Sequence, residues 1–208
     1  YDESGNLLNE YNMKLGEVHG LSVVYENGRK IVEKNNLHGL LNGSYVRYYY
    51  EEEVLFSKEM GEYLNDKKNG KWIFTYEKDQ SSRVVVSDYY NEGVLNGKFQ
   101  HIDQDTLIFG GYVNDKWHGE YLVYIDPSGI RPISTDTSEL LLCYKGYYSH
   151  DDKSGIWRTY DLNDNLLNKG KYLYGLKSGE WLYYYPFVFP SVVNYIKYSS
   201  KLYLIENF

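Results

Sequence analysis

Residues 63–76 read YLNDKKNGKWIFTY, a pattern that recurs along nearly the whole chain and therefore indicates how it folds. A tyrosine precedes a segment of turn residues, which is followed by an Asn-Gly pair and an aromatic strand. The glycines that align with the one in this pair are Gly20, Gly43, Gly70, Gly97, Gly119, Gly155 and Gly179, at spacings of 22 to 36 residues. Seven copies at such a period predict a repeat protein whose units stack on their neighbours.

Each of these motif glycines is preceded by turn-forming residues at two fixed positions, and both positions hold in all seven copies. Four residues before the glycine stand Gly16, Gly39, Asp66, Gly93, Asp115, Asp151 and Gly175, and directly before it stand His19, Asn42, Asn69, Asn96, His118, Ser154 and Ser178. Gly, Asn, Asp and His take positive φ more readily than other residues. The pattern therefore predicts a tight turn that ends at the motif glycine.

Aromatic residues flank the predicted turn on both sides. Two residues after the glycine come Ser22, Tyr45, Trp72, Phe99, Tyr121, Trp157 and Trp181, and seven residues before it a tyrosine stands in five of seven copies. Aromatic runs bounded by Gly, Asn and Asp are typical of β-hairpins. The sequence thus predicts an all-β protein, an elongated single-layer array of about seven stacked antiparallel hairpins, roughly 65 Å long at about 4.8 Å per strand.

The copies Tyr112–Tyr124 (YVNDKWHGEYLVY) and Tyr172–Tyr184 (YLYGLKSGEWLYY) carry a resemblance to a known family. They resemble the MORN repeat, and are more similar still to its looser bacterial variant, which is often labelled antitoxin-like. The resemblance covers roughly residues 11–198. It implies stacked β-hairpins and a role in protein interaction, with lipid contact proposed for some members. The irregular spacing, and Ser22 in place of the first aromatic, depart from the family pattern.

The whole chain, residues 1–208, is interpreted as one array. Residues 1–10 are the remnant of an earlier repeat, 11–185 the repeats, and 186–208 closing strands or a cap, since Pro186 and Pro190 favour turns and edges. The copy after Gly119 contains an insertion at 130–138, which is a candidate partner-binding loop, although loops also tolerate insertion at little energetic cost. Because the chain begins with Tyr1 rather than Met, the N-terminus is expected to be trimmed, which favours a cell-envelope or secreted location.

The composition argues against several classes of protein. A net charge of −7 and a pI near 5.3 argue against a general nucleic-acid or anionic-membrane binder. The sequence contains no run of 18 apolar residues, the length at which a transmembrane helix would be predicted. The single cysteine, Cys143, lies in an apolar strand and is expected to be an inert thiol. The 26 tyrosines suit a thin sheet that is partly wet on both faces.

No arrangement of residues predicts catalysis, a metal site or a cofactor. The five histidines lack metal-ligand spacing, and three of them directly precede a glycine, as Asn does elsewhere. The aspartates four residues before the motif glycines alternate with glycine, so turn geometry explains them better than calcium binding. The sequence also contains no nucleophile elbow, phosphate loop or dinucleotide fingerprint. We therefore expect a protein that is not an enzyme and carries no cofactor.

The leading functional hypothesis is a non-catalytic scaffold that binds another protein, or a second copy of itself through the sheet edges. Aromatic residues at one register predict a ladder along the sheet, and the candidate partner-binding residues are Tyr45, Trp72, Tyr121, Trp157 and Trp181. Two alternatives stay open. One is an antitoxin-like protein with a cognate toxin, and the other is a cell-envelope module whose aromatic rings stack on a glycan.

Overall fold

The computed structural model is all-β, as the sequence predicts. It describes residues 1, 3, 5–78, 81–103, 105–127, 136–185, 188–198 and 201–206. Among these residues a single helical element occurs, the short 3-10 turn Thr137–Glu139. The chain divides into two compact units, Tyr1–Gly97 and Lys98–Phe208, each of which is built from antiparallel strands.

In the first unit each strand pairs with the next one along the chain. The strands are β1 (Asn9–Lys14), β2 (Glu17–Glu26), β3 (Arg29–Leu37), β4 (Leu40–Glu51), β5 (Val54–Leu64), β6 (Lys67–Lys78), β7 (Ser81–Asn91) and β8 (Val94–Leu95). Sequential hairpins place the copies of the repeat side by side, which is the single-layer arrangement expected from the motif.

The second unit is built from sequential antiparallel hairpins in the same way, with one exception: its second strand, Thr106–Val113, pairs with both of the strands that follow it, Lys116–Trp117 and Gly119–Ile125. Its strands are β9 (Gly97–Asp103), β10 (Thr106–Val113), β11 (Lys116–Trp117), β12 (Gly119–Ile125), β13 (Leu141–Ser149), β14 (Asp152–Tyr160), β15 (Leu166–Leu173), β16 (Leu176–Tyr185), β17 (Val188–Tyr198) and β18 (Lys201–Glu206). The last two strands lie in the segment 186–208, for which the sequence predicts closing strands or a cap.

Tight turns connect most of these strands. In the described part of the chain, nine hairpins turn through two residues that both have positive φ, a feature of type I′ turns. These pairs are 15–16, 27–28, 38–39, 52–53, 65–66, 92–93, 114–115, 150–151 and 174–175. The residue four positions before each motif glycine is always the second residue of such a turn, so its predicted turn role is confirmed.

The motif glycines themselves do not end the turns, and this part of the prediction is wrong. All seven have positive φ, but each lies four residues beyond the turn, inside a strand or at its start. Around Gly70, Met60 of β5 pairs with Ile73 and Glu62 pairs with Asn69, so that one residue of β5 faces three of β6. The glycine therefore lies in a β-bulge that contains two extra residues. It is suited to this position because the bulge requires a positive φ, which a residue with a side chain disfavours. The residues directly before it, such as Asn69, belong to the strand rather than to the turn.

The turns also join each repeat to the preceding one. Among the residues that the structure describes, the N–H of the second turn residue donates to a carbonyl of the previous copy in five places, for example from Asp66 to Leu41 at 2.9 Å and from Asp151 to Trp117 at 2.9 Å. In these two copies the aspartate side chain forms a second hydrogen bond to the same residue. The carboxylate of Asp66 accepts from the N–H of Leu41 at 2.6 Å, and that of Asp151 accepts from the N–H of Trp117 at 2.8 Å. These aspartates thus connect repeats, in agreement with a structural rather than a calcium-binding role.

The insertion at 130–138 lies in part outside the described residues, since the structure describes only 136–138 of it. Asp136 accepts a hydrogen bond from the N–H of Ser138 at 2.9 Å, and this bond lowers the pKa of its carboxyl group. Leu140, which follows, is buried against Leu107, and Ile102, Phe109 and Tyr124 complete that apolar cluster. The end of the insertion is therefore anchored in the second unit, and its role in partner binding stays a prediction.

Candidate functional site

The five aromatic residues predicted to bind a partner lie together within each unit. Tyr45 and Trp72 are in contact in the first unit, with ring centroids 5.6 Å apart. In the second unit, Tyr121 lies 5.9 Å from Trp157, and Tyr172 lies between Trp157 and Trp181 at 5.9 and 5.1 Å. The structure thus forms an aromatic ladder in each unit. The bulges make this possible because they bring Trp181 opposite Gly170 in the strand pairing.

Each tryptophan of the ladder is packed directly on a glycine of the adjacent strand. A Cβ atom added to Gly61, Gly146 or Gly170 would lie 2.1–2.4 Å from ring atoms of Trp72, Trp157 or Trp181, respectively. Each indole N–H donates to a backbone carbonyl one residue beyond that glycine, at 3.0–3.2 Å. Removing the side chain below the ring lets a large aromatic group lie flat on the sheet.

The sequence pattern did not identify these glycines as functional positions, although a signal exists. A glycine stands nine residues before the motif glycine in four of the seven copies, at Gly61, Gly110, Gly146 and Gly170. Gly110 also lies under an aromatic ring, since a Cβ atom added to it would lie 2.4 Å from Phe99, but this ring belongs to the preceding copy of the repeat. The pattern became interpretable only once the strand register showed which ring faces which glycine.

Lysine side chains cover the tryptophans. The Nζ atoms of Lys68, Lys153 and Lys177 lie 4.0, 4.3 and 4.4 Å from the ring centroids of Trp72, Trp157 and Trp181. Each lysine also lies within 5.4 Å of the ring centroid of a tyrosine, which is on the next strand for Lys68 and Lys153 and on the same strand for Lys177. Each tryptophan is therefore enclosed by a glycine, a lysine and an edge-on tyrosine.

This enclosure leaves the tryptophans buried, with 3–5% of each residue exposed. Tyr45 and Tyr121 are half-buried, and burial raises the pKa of both phenols. The five residues build the sheet, and their assignment to partner binding stays a prediction. The fourth tryptophan, Trp117, replaces the covering lysine in its copy and contacts Phe99, Tyr112, Tyr121 and Tyr148.

The opposite face of the second unit carries a different set of side chains. Because side chains alternate along a strand, the neighbours of Gly146, Trp157 and Gly170 point away from the ladder. In the strand pairing Lys145 faces Arg158, and Arg158 faces Lys169. We call these three residues, on adjacent strands β13, β14 and β15, the cationic row. Leu122 and Leu182 are the next residues in register at its two ends.

The cationic row is only partly neutralised. Lys145 forms an ion pair with Glu120 at 2.9 Å, and this carboxylate raises the pKa of Lys145, whereas the nearby Arg158 opposes the rise. Within the part of the chain that the structure describes, the side chains of Arg158 and Lys169 have no hydrogen-bond or ion-pair partner. Like charges directly opposite each other on a sheet are destabilising. The row is thus an arrangement that favours an anion placed against it.

An open depression of about 300 Å³ adjoins the row. Its lining residues are Ile156, Arg158, Lys169, Gly170, Lys171, Glu180 and Leu182. Ile156 is 46% exposed, and Lys171 is exposed beside it. The surface therefore combines cationic groups with accessible aliphatic groups, a mixture suited to a polypeptide that has both acidic and apolar side chains.

The remaining polar candidates are occupied structurally. His19 contacts His38 and His118 contacts His150, with ring centroids 5.7 and 4.9 Å apart. These pairs join a residue beside one motif glycine to the turn of the next copy. Among the described residues no group of three or more His, Cys, Asp or Glu side chains is arranged to hold a metal ion. Burial raises the pKa of the Cys143 thiol, which makes its nucleophilic thiolate form scarcer.

No protein-family model matches the sequence, and no curated protein is detectably similar to it. The described residues also contain no helix with the length and apolar character needed to cross a membrane.

Proposed function

We propose that this protein is a non-catalytic, MORN-like repeat scaffold that binds another protein through the face opposite the aromatic ladder. The observation that carries the proposal is a difference between the two faces of the sheet: residues that recur in the repeat pack together on one face, and residues that vary lie on the other. On the ladder face, the repeated residues are engaged with one another, as glycine, tryptophan, tyrosine and lysine pack together. Residues that pack together in this way stabilise the sheet and do not determine which partner binds.

On the opposite face, equivalent positions differ from copy to copy. Three residues after the motif glycine stand Val23, Val46, Ile73, Gln100, Leu122, Arg158 and Leu182. Ten residues before it stand Glu10, Glu33, Met60, Ser87, Phe109, Lys145 and Lys169, so this position is acidic in two copies and basic in two others. A constant frame that presents variable side chains is a common basis for selective binding by repeat proteins. A protein partner accounts for this variation, because its surface supplies matching charge and apolar groups at each position.

The two alternative functions, an antitoxin-like protein and a glycan-binding module, differ in how well this geometry supports them. An antitoxin is a special case of the proposal, in which the bound protein is a toxin. Glycan binding by the ladder requires free aromatic ring faces, whereas glycine and lysine cover the rings of Trp72, Trp157 and Trp181. The geometry therefore favours a protein ligand.

Affinity capture with the full chain tests the proposal. The immobilised protein is exposed to lysate and envelope fractions of its source organism, and the retained proteins and sugars are identified. The matched pair of variants is Ile156→Ser, on the opposite face, and Tyr144→Ser, on the ladder face, since these side chains are similarly exposed on adjacent strands. We expect a stoichiometric protein that Tyr144→Ser retains and Ile156→Ser loses. Retention of polysaccharide without protein would overturn the proposal.

A further inference from the structure

We propose that the cationic row binds an acidic segment of the partner protein, in which carboxylates are flanked by apolar side chains. The inference rests on the proposed function and assigns it a site and a ligand chemistry. The row comprises Lys145, Arg158 and Lys169, with the depression beside it.

The spacing of the row suits a short segment of polypeptide. Adjacent strands lie about 4.8 Å apart, so the three cations span about 10 Å, and the row from Leu122 to Leu182 spans about 19 Å. An extended chain advances about 3.4 Å per residue, so five or six residues cover this distance. Two or three carboxylates in such a segment fall within reach of the three cations.

The electrostatics of the free protein point to an anionic occupant. Arg158 stands between two lysines, and only Lys145 has an anionic partner, Glu120, among the described residues. The repulsion is present in the unbound sheet and is relieved when carboxylates bind. A guanidinium group also binds a carboxylate through two parallel hydrogen bonds, which makes Arg158 the central contact.

The flanking groups indicate a polypeptide rather than a polyphosphate. Leu122 and Leu182 end the row, and Ile156 is exposed next to it. The basic surface is short and interrupted, because Glu180 lies in the depression beside the row. Nucleic acids bind best to continuous basic surfaces, and carboxylates at the border repel their phosphates. An acidic peptide with leucine or a similar residue at each end fits both kinds of group.

The equivalent positions of the first unit have the opposite character. Glu10, Val23, Glu33 and Val46 form the corresponding row there, in which Glu33 pairs with Lys30 and accepts from the hydroxyl of Tyr48 at 2.7 Å. The site is therefore specific to the second unit. This contrast also defines a rival occupant, the acidic row of a second copy of the chain, which the test has to separate from a partner peptide.

The test uses a fluorescein-labelled peptide with a Leu-Glu-Glu-Glu-Leu core, titrated with the full chain and followed by fluorescence anisotropy. We expect binding that weakens between about 50 and about 200 mM salt. The key variant is Arg158→Glu, which should weaken binding at least about tenfold. It should also raise the melting temperature, because the row then alternates in charge. Lys116→Glu makes the same charge change at an exposed position outside the row and should bind the peptide like the parent protein.

Several results would overturn the inference. These are equal binding of the glutamate peptide and a glutamine counterpart, unchanged binding by Arg158→Glu, or tighter binding of a single-stranded RNA oligonucleotide than of the peptide. Sedimentation of the free protein addresses the rival, since a dimer that Arg158→Glu dissociates would assign the row to a second copy. If the peptide fails to bind while affinity capture still retains a protein, only this site is wrong. If capture retains no protein, the proposed function is wrong.

Discussion

At the scale of single residues, the absence of a side chain matters as much as its presence. Gly170 provides the flat surface on which Trp181 lies, and the same arrangement occurs at Gly61 and Gly146. The tryptophan gains burial and a hydrogen bond to a strand carbonyl without disturbing the sheet. The energetic role of these glycines is therefore steric, and it differs from that of the motif glycines, whose positive φ is the requirement.

The variant Gly170→Ala tests this role. The added methyl group overlaps the indole of Trp181, so we expect a loss of about 2 kcal/mol or more in the free energy of unfolding, measured by urea denaturation. Asn168→Ala, two residues earlier on the same strand, is the control and should change stability by less than about 1 kcal/mol. In a Trp181→Leu background the cost of Gly170→Ala should fall, since the overlap is relieved. Equal costs in both backgrounds would contradict the steric explanation.

The covering lysines differ in their electrostatic surroundings. Lys68 has both the ring of Trp72 and an ion pair with Glu59 at 2.7 Å. The side chain of Lys153 has only aromatic contacts among the described residues, and burial, followed by repulsion from Lys177, lowers its pKa. The charged form of Lys153 is thus less favourable in the folded protein than in the unfolded chain.

We expect Lys68→Met to destabilise the protein by about 1 kcal/mol and Lys153→Met by less than half of this. Between the lowered pKa of Lys153 and its ordinary value the unfolded chain binds more protons, so the contribution of Lys153 to stability rises with pH in that alkaline interval. Lys153→Met should remove this rise. Urea denaturation at neutral and alkaline pH measures both effects, with the exposed Lys116→Met as control. A larger loss for Lys153→Met than for Lys68→Met at neutral pH would refute the argument.

At the scale of the hairpin, the structure depends on two-residue turns with positive φ at both positions. Asn27 and Gly28 supply the residues most suited to such a turn, whereas Glu52 and Glu53 adopt φ values of 45° and 73° without that suitability. The acidic turn is tolerated because the paired strands β4 and β5 on either side are long. It therefore stores conformational strain that a better turn sequence would remove.

Replacing Glu52 by Asn and Glu53 by Gly should stabilise the protein by about 1 kcal/mol. The exposed ion pair between Glu53 and Arg29 is lost, but such pairs contribute little. The reciprocal change, Asn27→Glu with Gly28→Glu, should cost a similar amount. Thermal unfolding followed by circular dichroism compares the two variants. A decrease in melting temperature for the first would show that Glu52 and Glu53 are engaged in contacts more favourable than those of the turn.

At the scale of the whole molecule, stability is distributed along the chain. Each strand contacts mainly its sequence neighbours, and the chain forms two compact units. In a structure of this kind a destabilising substitution mainly affects the strands next to it, because each strand packs against its neighbours rather than against a core shared by the whole chain.

Hydrogen exchange measured by mass spectrometry tests this locality. In Gly170→Ala, backbone amides of β14, β15 and β16 should exchange faster by about tenfold or more, whereas those of β2 to β5 should change little. The reciprocal variant Gly61→Ala should affect β4, β5 and β6 instead. A uniform acceleration over both units would show that the chain unfolds as one cooperative body.

Patterns in the sequence were sufficient to predict the strand content, the seven copies of the repeat and the second residue of each motif turn. Asp66 and Gly175 were recognisable as turn residues because positive φ restricts residue choice locally, and local restrictions are visible in one copy of the motif. The aromatic positions were likewise recognisable because they recur at a constant distance from the motif glycine.

The strand register was decided only by the tertiary structure. Counting outward from the turn at 150–151 in a regular hairpin places Lys145 opposite Ile156, but the bulge at Gly155 moves Arg158 opposite Lys145 and Trp157 over Gly146. The cationic row and the buried state of the tryptophans both follow from this two-residue displacement. A bulge is a property of two paired strands together, so a pattern read along one strand does not reveal it.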